Sequence, residues 1–248
     1  MSCTILIYKS FNTSTINFDE IKSYLIEKFK SKIQIEIKEN PLKNKEELAE
    51  NLAKIRVTNI SKVQLNEPLP AEINYEKKAL RGDILPEGIL YDGLEFKELL
   101  SKLINKEELK LNNLHIFLTN RLIGTFDDDK RYHARTNLLG IPSIISLTGI
   151  IEAPAKPREF YILKQKNISP DILKEKFKGK FIDYNDKRLT DILKGYIMQS
   201  IFYQLFGEAF CKDKNCKLFN AHWQEELINA QLNKTEFCEK HSKLLNTI

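Results

Sequence analysis

The feature that most constrains this chain lies in its last forty residues. Cys211, Cys216, Cys238 and His241 follow the spacing C-x4-C-x21-C-x2-H. Two short ligand pairs separated by a longer segment suit a tetrahedral ion held by soft thiolates and one imidazole, which is the preference of zinc. Only four cysteines and four histidines occur in 248 residues, so two paired spacings among them argue for a metal site over scattered buried thiols. Four protein ligands leave no open coordination position. The expected site is therefore structural, with one zinc per chain and no bound water to activate. His222 is the alternative fourth ligand to His241.

Such a site needs reduced thiols. The N-terminal "MSCTILIYKSF" has a short apolar run with no basic region before it, unlike a secretion signal. No stretch approaches the roughly 18 apolar residues of a membrane span. The expectation is a cytoplasmic protein with no membrane partner, where cysteines stay unoxidised. Cys3 is expected to be a small buried residue of the first strand.

Hydrophobic content of 42% and charged content of 29% are those of a globular chain. "CTILIY", "NFDEIKSYLIEKFKSK" and "KIQIEIK" read as a β-α-β start over residues 1–65, with the helix stripe Phe18, Ile21, Leu25, Phe29 and the alternation Ile33, Ile35, Ile37. That order predicts a parallel strand pair. "NKEELAENLAKIRV" and "LEFKELLSKLI" read as amphipathic helices. Residues 66–92, with Pro68, Pro70 and Pro86, read as a loop or insertion. Leu114–Asn120 and Gly140–Ile150 read as the two strongest central strands. Residues 93–210 would form the core and 211–248 the zinc segment of a single domain. The fold class expected is α/β: a mixed, mostly parallel sheet with packed helices.

A long helix is expected from about Asp186 to Phe206, with Leu189, Ile192, Leu193, Tyr196, Ile197, Ser200, Ile201 and Gln204 on its buried face and Gly207 as its stop. Ser200 and Gln204 are the polar members of that face. At Gly207, Cys211, Cys216 and "FCEKH" the chain resembles the archaemetzincins, zinc metallopeptidases whose signature joins H-E-x-x-H-x-x-G-x-x-H to C-x4-C-x-M and a distant C-x2-C. Gly207 matches the glycine, Leu218 stands at the methionine, and His241 replaces the last cysteine. "YHARTNLLGIPSIISLTGIIEAPAKPREFY" and "CKLFNAHWQEEL" are also similar to a group of uncharacterised archaeal metallopeptidase-like proteins. The resemblance implies a metzincin-like core over Leu114 to the C-terminus.

The catalytic positions implied by that resemblance hold other residues. Ser200, Gln204 and Phe210 stand where the three histidines would be, and Ile201 where the glutamate would be. A zinc peptidase needs two histidines at i, i+4 and the adjacent carboxylate as base. The expectation is a chain that has lost the catalytic metal and acts by binding a protein or peptide. In peptidases of this class substrate lies along a sheet edge, here "PSIISLT", Pro142–Thr148. Two rival readings remain. One is a hydrolase with a non-standard site using His222, Glu225, Glu226 or His133. The other is a zinc-stabilised nucleic-acid or ribosome-associated factor, suggested by Ala153–Lys180, whose eight Lys or Arg against three Asp or Glu match the net charge of +5. Asp127, Asp128 and Asp129 are a solvated turn before they are a cation site.

Overall fold

The computed structural model describes residues 3–11, 13–30 and 32–247. In chain order its elements are β1 (Cys3–Tyr8), α1 (Phe18–Lys28), β2 (Ile33–Lys38), α2 (Ala49–Lys54), α3 (Pro70–Arg81), β3 (Leu90–Asp92), α4 (Gly93–Ser101), β4 (Asn113–Thr119), β5 (Leu122–Phe126), β6 (Tyr132–Arg135), β7 (Asn137–Leu138) and β8 (Ser143–Ser146). The helices α5 (Leu147–Glu152), α6 (Arg158–Gln165), α7 (Pro170–Lys176), α8 (Leu189–Phe206), α9 (Gln224–Leu232) and α10 (Glu239–Leu245) follow. They form two compact units. Unit 1 holds residues 1–14 and 31–149; unit 2 holds 15–30 and 150–248.

Unit 1 carries a five-stranded sheet in the order β2-β1-β4-β8-β7. The pairs β1–β2, β1–β4 and β4–β8 are parallel, and β7 closes the edge antiparallel to β8. Ile5, Leu6 and Ile7 of β1 are all buried, as a strand covered on both faces requires. In β2, buried Ile33 and Ile35 flank exposed Gln34, the alternation of a strand with one covered face. A second, three-stranded sheet runs β3-β5-β6. The α/β class and the parallel β1–β2 pair match the sequence reading. Cys3 is half-buried, more open than expected.

Residues 66–92, expected as a loop, contain α3 and β3. The prolines misled because Pro70 occupies the first helical position, where its missing N–H is no loss. The Glu72 carboxylate accepts the Leu69 N–H at 2.8 Å, and Gly82, at φ 86°, ends the helix in a left-handed turn that only glycine adopts without strain. The second correction concerns Gly140–Ile150. Only Ser143–Ser146 is strand, and the chain turns into α5 at Leu147. β8 also lies between β4 and β7 with all four residues buried, so Pro142–Thr148 is not an exposed edge. The edge on that side is β7, two residues long, and the opposite edge is β2.

A buried charge cluster organises unit 1. The Glu76 carboxylate of α3 accepts from Arg56 Nε (2.9 Å) and Nη2 (2.6 Å), from Arg121 Nη1 (2.6 Å) and from the Tyr91 hydroxyl (2.8 Å). Glu72 lies 3.4 Å from Arg56 and balances the second cation. Burial pushes the Tyr91 phenol well above its ordinary pKa, so it stays a donor.

Unit 2 is helical. α1 opens with Asn17, whose side chain accepts the Glu20 N–H at 3.0 Å. Ile21 and Leu25 are fully buried. α8 is buried on almost every side through Phe202, not on the single stripe expected. Phe160, Leu163 and Ile168 pack with Leu173, Phe177 and Phe181 into a separate small apolar cluster under α6 and α7. None of the described helices is long and apolar enough to cross a membrane.

Candidate metal centre

The centre is assembled from the chain that follows α8. Gly207 ends that helix at φ 71°, and its N–H reaches the Tyr203 carbonyl at 2.9 Å. The chain then runs to Cys211, whose N–H donates to the Leu218 carbonyl (2.8 Å). Cys216 N–H closes back on Asp213 O (3.1 Å), and Phe219 N–H on Cys216 O (2.8 Å). These bonds make 211–219 a tight knuckle that turns Cys211 and Cys216 inward. Cys238 is the N-cap of α10 and His241 lies in its first turn. Residues three apart share a helical face, so this pair meets the knuckle together.

One ligating atom from each of the four residues lies within 4.8 Å of all the others. Cys211 Sγ is 3.8 Å from Cys238 Sγ, and His241 Nδ1 is 3.6 Å from Cys216 Sγ and 3.1 Å from Cys238 Sγ. A tetrahedral zinc with ordinary bond lengths would set S···S at roughly 3.8 Å and S···N at roughly 3.6 Å. Two of the three separations meet those values, and the third needs Cys238 and His241 to part slightly. The donor set therefore fits a zinc-sized ion.

The electrostatics favour the same occupant. Burial pushes the Cys216 thiol up to about 12 and raises Cys211 as well, because thiolates without a cation are costly there. Backbone N–H groups oppose that rise: Cys238 and Leu218 toward Cys216, and Asp213 toward Cys211 at 3.3 Å. Burial, with Lys240 alongside, holds the His241 imidazole below its ordinary pKa, in the neutral form that ligates metal. Its Nε2 faces Glu208 Oε2 at 3.8 Å, and Glu208 is bound to Lys240 Nζ at 2.5 Å. At that distance Glu208 makes no hydrogen bond to the ring, and the buried Nε2 has no hydrogen-bond partner among the described residues.

Some residues that position the centre were not legible as such. Gln199 of α8 sends its Nε2 to the carbonyls of Phe219 (3.2 Å) and Lys217 (3.5 Å), and Gln231 of α9 sends its own to Lys217 O (2.9 Å). Lys217 Nζ returns to Gln231 O at 2.8 Å. Together they clamp the turn beside Cys216. Gly195 allows this: a Cβ there would stand 1.6 Å from Gln231 Oε1. Gln199, which lies off the stripe of Ser200 and Gln204, is the available sequence signal.

The other candidates scatter. Ser200 is fully buried and donates its hydroxyl to Tyr196 O of its own helix at 3.2 Å; Ile201 is fully buried, and Phe210 is largely exposed. His222 is exposed, its carbonyl accepting from Ala155 N (2.8 Å) and its N–H donating to Glu226 Oε2 (3.1 Å). Glu226 thus serves the start of α9 and pairs with Lys214 at 3.2 Å. His133 pairs with Asp129 at 2.8 Å, and Asp127 with Arg135 at 2.5 Å. Among the described residues, the cysteine–histidine group is the one cluster of three or more His, Cys, Asp or Glu side chains placed to hold a metal.

No curated protein matches the sequence. The crystal structure of archaemetzincin from Methanopyrus kandleri is similar, with a TM-score of 0.49 and 10% identity, over 99% of this chain and 94% of that one. The model of a family described as "Probable metallopeptidase family (DUF6775)" matches residues 1–248. Since that match spans the whole sequence, the chain belongs to this probable metallopeptidase family.

Proposed function

We propose that this protein is a non-catalytic member of its family, a cytoplasmic chain that acts by binding a protein or peptide. Cys211, Cys216, Cys238 and His241 would hold one zinc ion with a structural role. The observation that carries the reading is on α8. The positions of a catalytic histidine pair hold Ser200 and Gln204, the position of the base holds buried Ile201, and the Ser200 hydroxyl is spent on its own helix. No group there can ligate a metal and take a proton from bound water. With four protein ligands, the cysteine–histidine centre has no place for that water either.

Neither rival gains from the side-chain arrangement. For a hydrolase at His222, Glu226 is already committed to Lys214 and to the His222 backbone. For a nucleic-acid factor, lysines of the basic stretch pair with acids: Lys156 with Glu152, Lys174 with Asp183, Lys176 with Glu159 and Lys178 with Glu175. The test combines metal analysis with peptide hydrolysis. One zinc per chain and no cleavage, even with added zinc, is expected. Cleavage abolished by Glu226→Gln but retained in Ser200→Ala would overturn the reading.

A further inference from the structure

Unit 2 contains a cavity of about 440 Å³ lined by none of Cys211, Cys216, Cys238 and His241 and by no residue of α8, although Lys214 of the 211–219 knuckle borders it. Its apolar wall is Ala155, Pro157 and Trp223; its polar wall is Glu225, Glu226 and Lys214. Trp223 is the chain's single tryptophan and stays 38% exposed. The backbone that carries it is pinned on both sides. Its backbone bridges Ala155, with Gln224 N–H on Ala155 O at 2.9 Å and Ala155 N–H on His222 O at 2.8 Å. The neighbouring Gln224 side chain is fully buried. It donates to Ile150 O (2.9 Å) and Ile151 O (3.1 Å) and accepts from Ile182 N (3.0 Å). Such anchoring fixes the backbone from which the indole projects, which lowers part of the ordering cost of binding.

The charges on the polar wall do not cancel. Lys214 pairs with Glu226 at 3.2 Å, and Asn229 holds the Lys214 carbonyl at 2.8 Å. Glu225 is exposed and has no ion-pair partner among the described residues. The cavity therefore offers an aromatic face beside an uncompensated carboxylate. A tryptophan face attracts cations, and a planar guanidinium can stack on it while its N–H groups reach a carboxylate. The geometry points to a binding site for an arginine side chain carried by a partner protein. This goes beyond the reading of the family role and stands on the cavity, so peptidase activity that does not need Glu226 would leave it in place.

The single tryptophan makes the test direct. Whole zinc-loaded protein is titrated with N-acetylarginine amide while Trp223 fluorescence is followed, with the lysine analogue and the uncharged citrulline analogue in parallel. A saturable change with arginine, weaker with lysine and absent with citrulline, is expected. Glu225→Gln should weaken binding about threefold, the size of a rim ion pair. Lys214→Gln should strengthen it by a similar factor, because it removes a like charge and frees Glu226. Circular dichroism of each variant separates lost binding from lost folding. Three outcomes would overturn the site: citrulline binding as well as arginine, lysine binding as tightly as arginine, or unchanged titrations in both folded variants. The absence of any saturable change would do so as well.

Discussion

Glu76 in unit 1 and Cys216 in unit 2 are both fully buried, and their surroundings answer that burial in opposite ways. Around Glu76, two guanidinium groups and a phenol point donors at a carboxylate, and Glu72 balances the remaining charge. The chain supplies every partner. Around Cys216, three sulfurs and an imidazole nitrogen converge within 4.8 Å, and all of them are lone-pair donors. Among the described residues no side-chain cation closes that cluster, since the neighbouring Lys240 is paired with Glu208. A buried polar group completed by its own neighbours is architecture, whereas converging lone pairs define a place for something from outside.

The largest effect should come from the unfinished cluster. Replacing Cys238 with Ser, or stripping metal with a chelator, removes an interaction worth on the order of 10 kcal/mol in structural zinc sites. Elemental analysis should show the loss, and hydrogen exchange should show 211–245 opening. Acidification should release the metal too, since protons compete for the same lone pairs and occupancy falls as pH falls. A metal-free protein with native protection across this segment would break the comparison.

The finished cluster should resist chelators entirely and fail only by mutation. Glu76→Ala leaves Arg56 and Arg121 buried without their shared anion, a loss of about 3 to 5 kcal/mol. Urea melts of wild type and variant measure it. Equal sensitivity of the Glu76 variant and wild type would mean that water reaches these arginines.

Gly195→Ala is an intermediate case that tests how α8 serves the metal centre. Alanine alone would favour a helix interior by about 1 kcal/mol. Here its Cβ would meet Gln231 Oε1 at 1.6 Å and Cδ at 2.6 Å. Gln231 would have to leave Lys217 O, and overpacking of this kind costs typically 1 to 3 kcal/mol. The expected result is net destabilisation together with weaker zinc retention in a competition with a chromogenic chelator. A stabilised variant with unchanged zinc affinity would remove Gln231 from the support of Cys216.

The smallest effect is expected where charge pairs face solvent. Asp127→Asn removes a partner of Arg135 on the β5–β6 turn, both side chains being more than a third exposed. The urea midpoint should barely move, because solvent screens a pair this exposed. A larger loss would show that geometry, more than burial, separates the exposed pairs from the Glu76 cluster.

Some of this was determined by local sequence. The grouping of Cys211, Cys216, Cys238 and His241 was readable because spacing along a knuckle and one helical turn is a short-range property. β1, β2, α1 and α4 were readable because their apolar periods match their geometry over a few residues. Ser200, Ile201 and Gln204 could be judged unfit for zinc chemistry from side-chain type alone. Other features depended on contacts far apart in the chain. Pro70 was a breaker or a helix start according to whether Glu72 capped Leu69 and whether Ala79 and Leu80 found a core. Pro142–Thr148 looked like an edge strand, yet pairing with both β4 and β7 made it interior. The Glu76 cluster joins residues 56, 76, 91 and 121, which no local pattern connects. Periodicity records which face of an element is apolar; what covers that face, and which buried charges meet there, is decided only when distant segments pack.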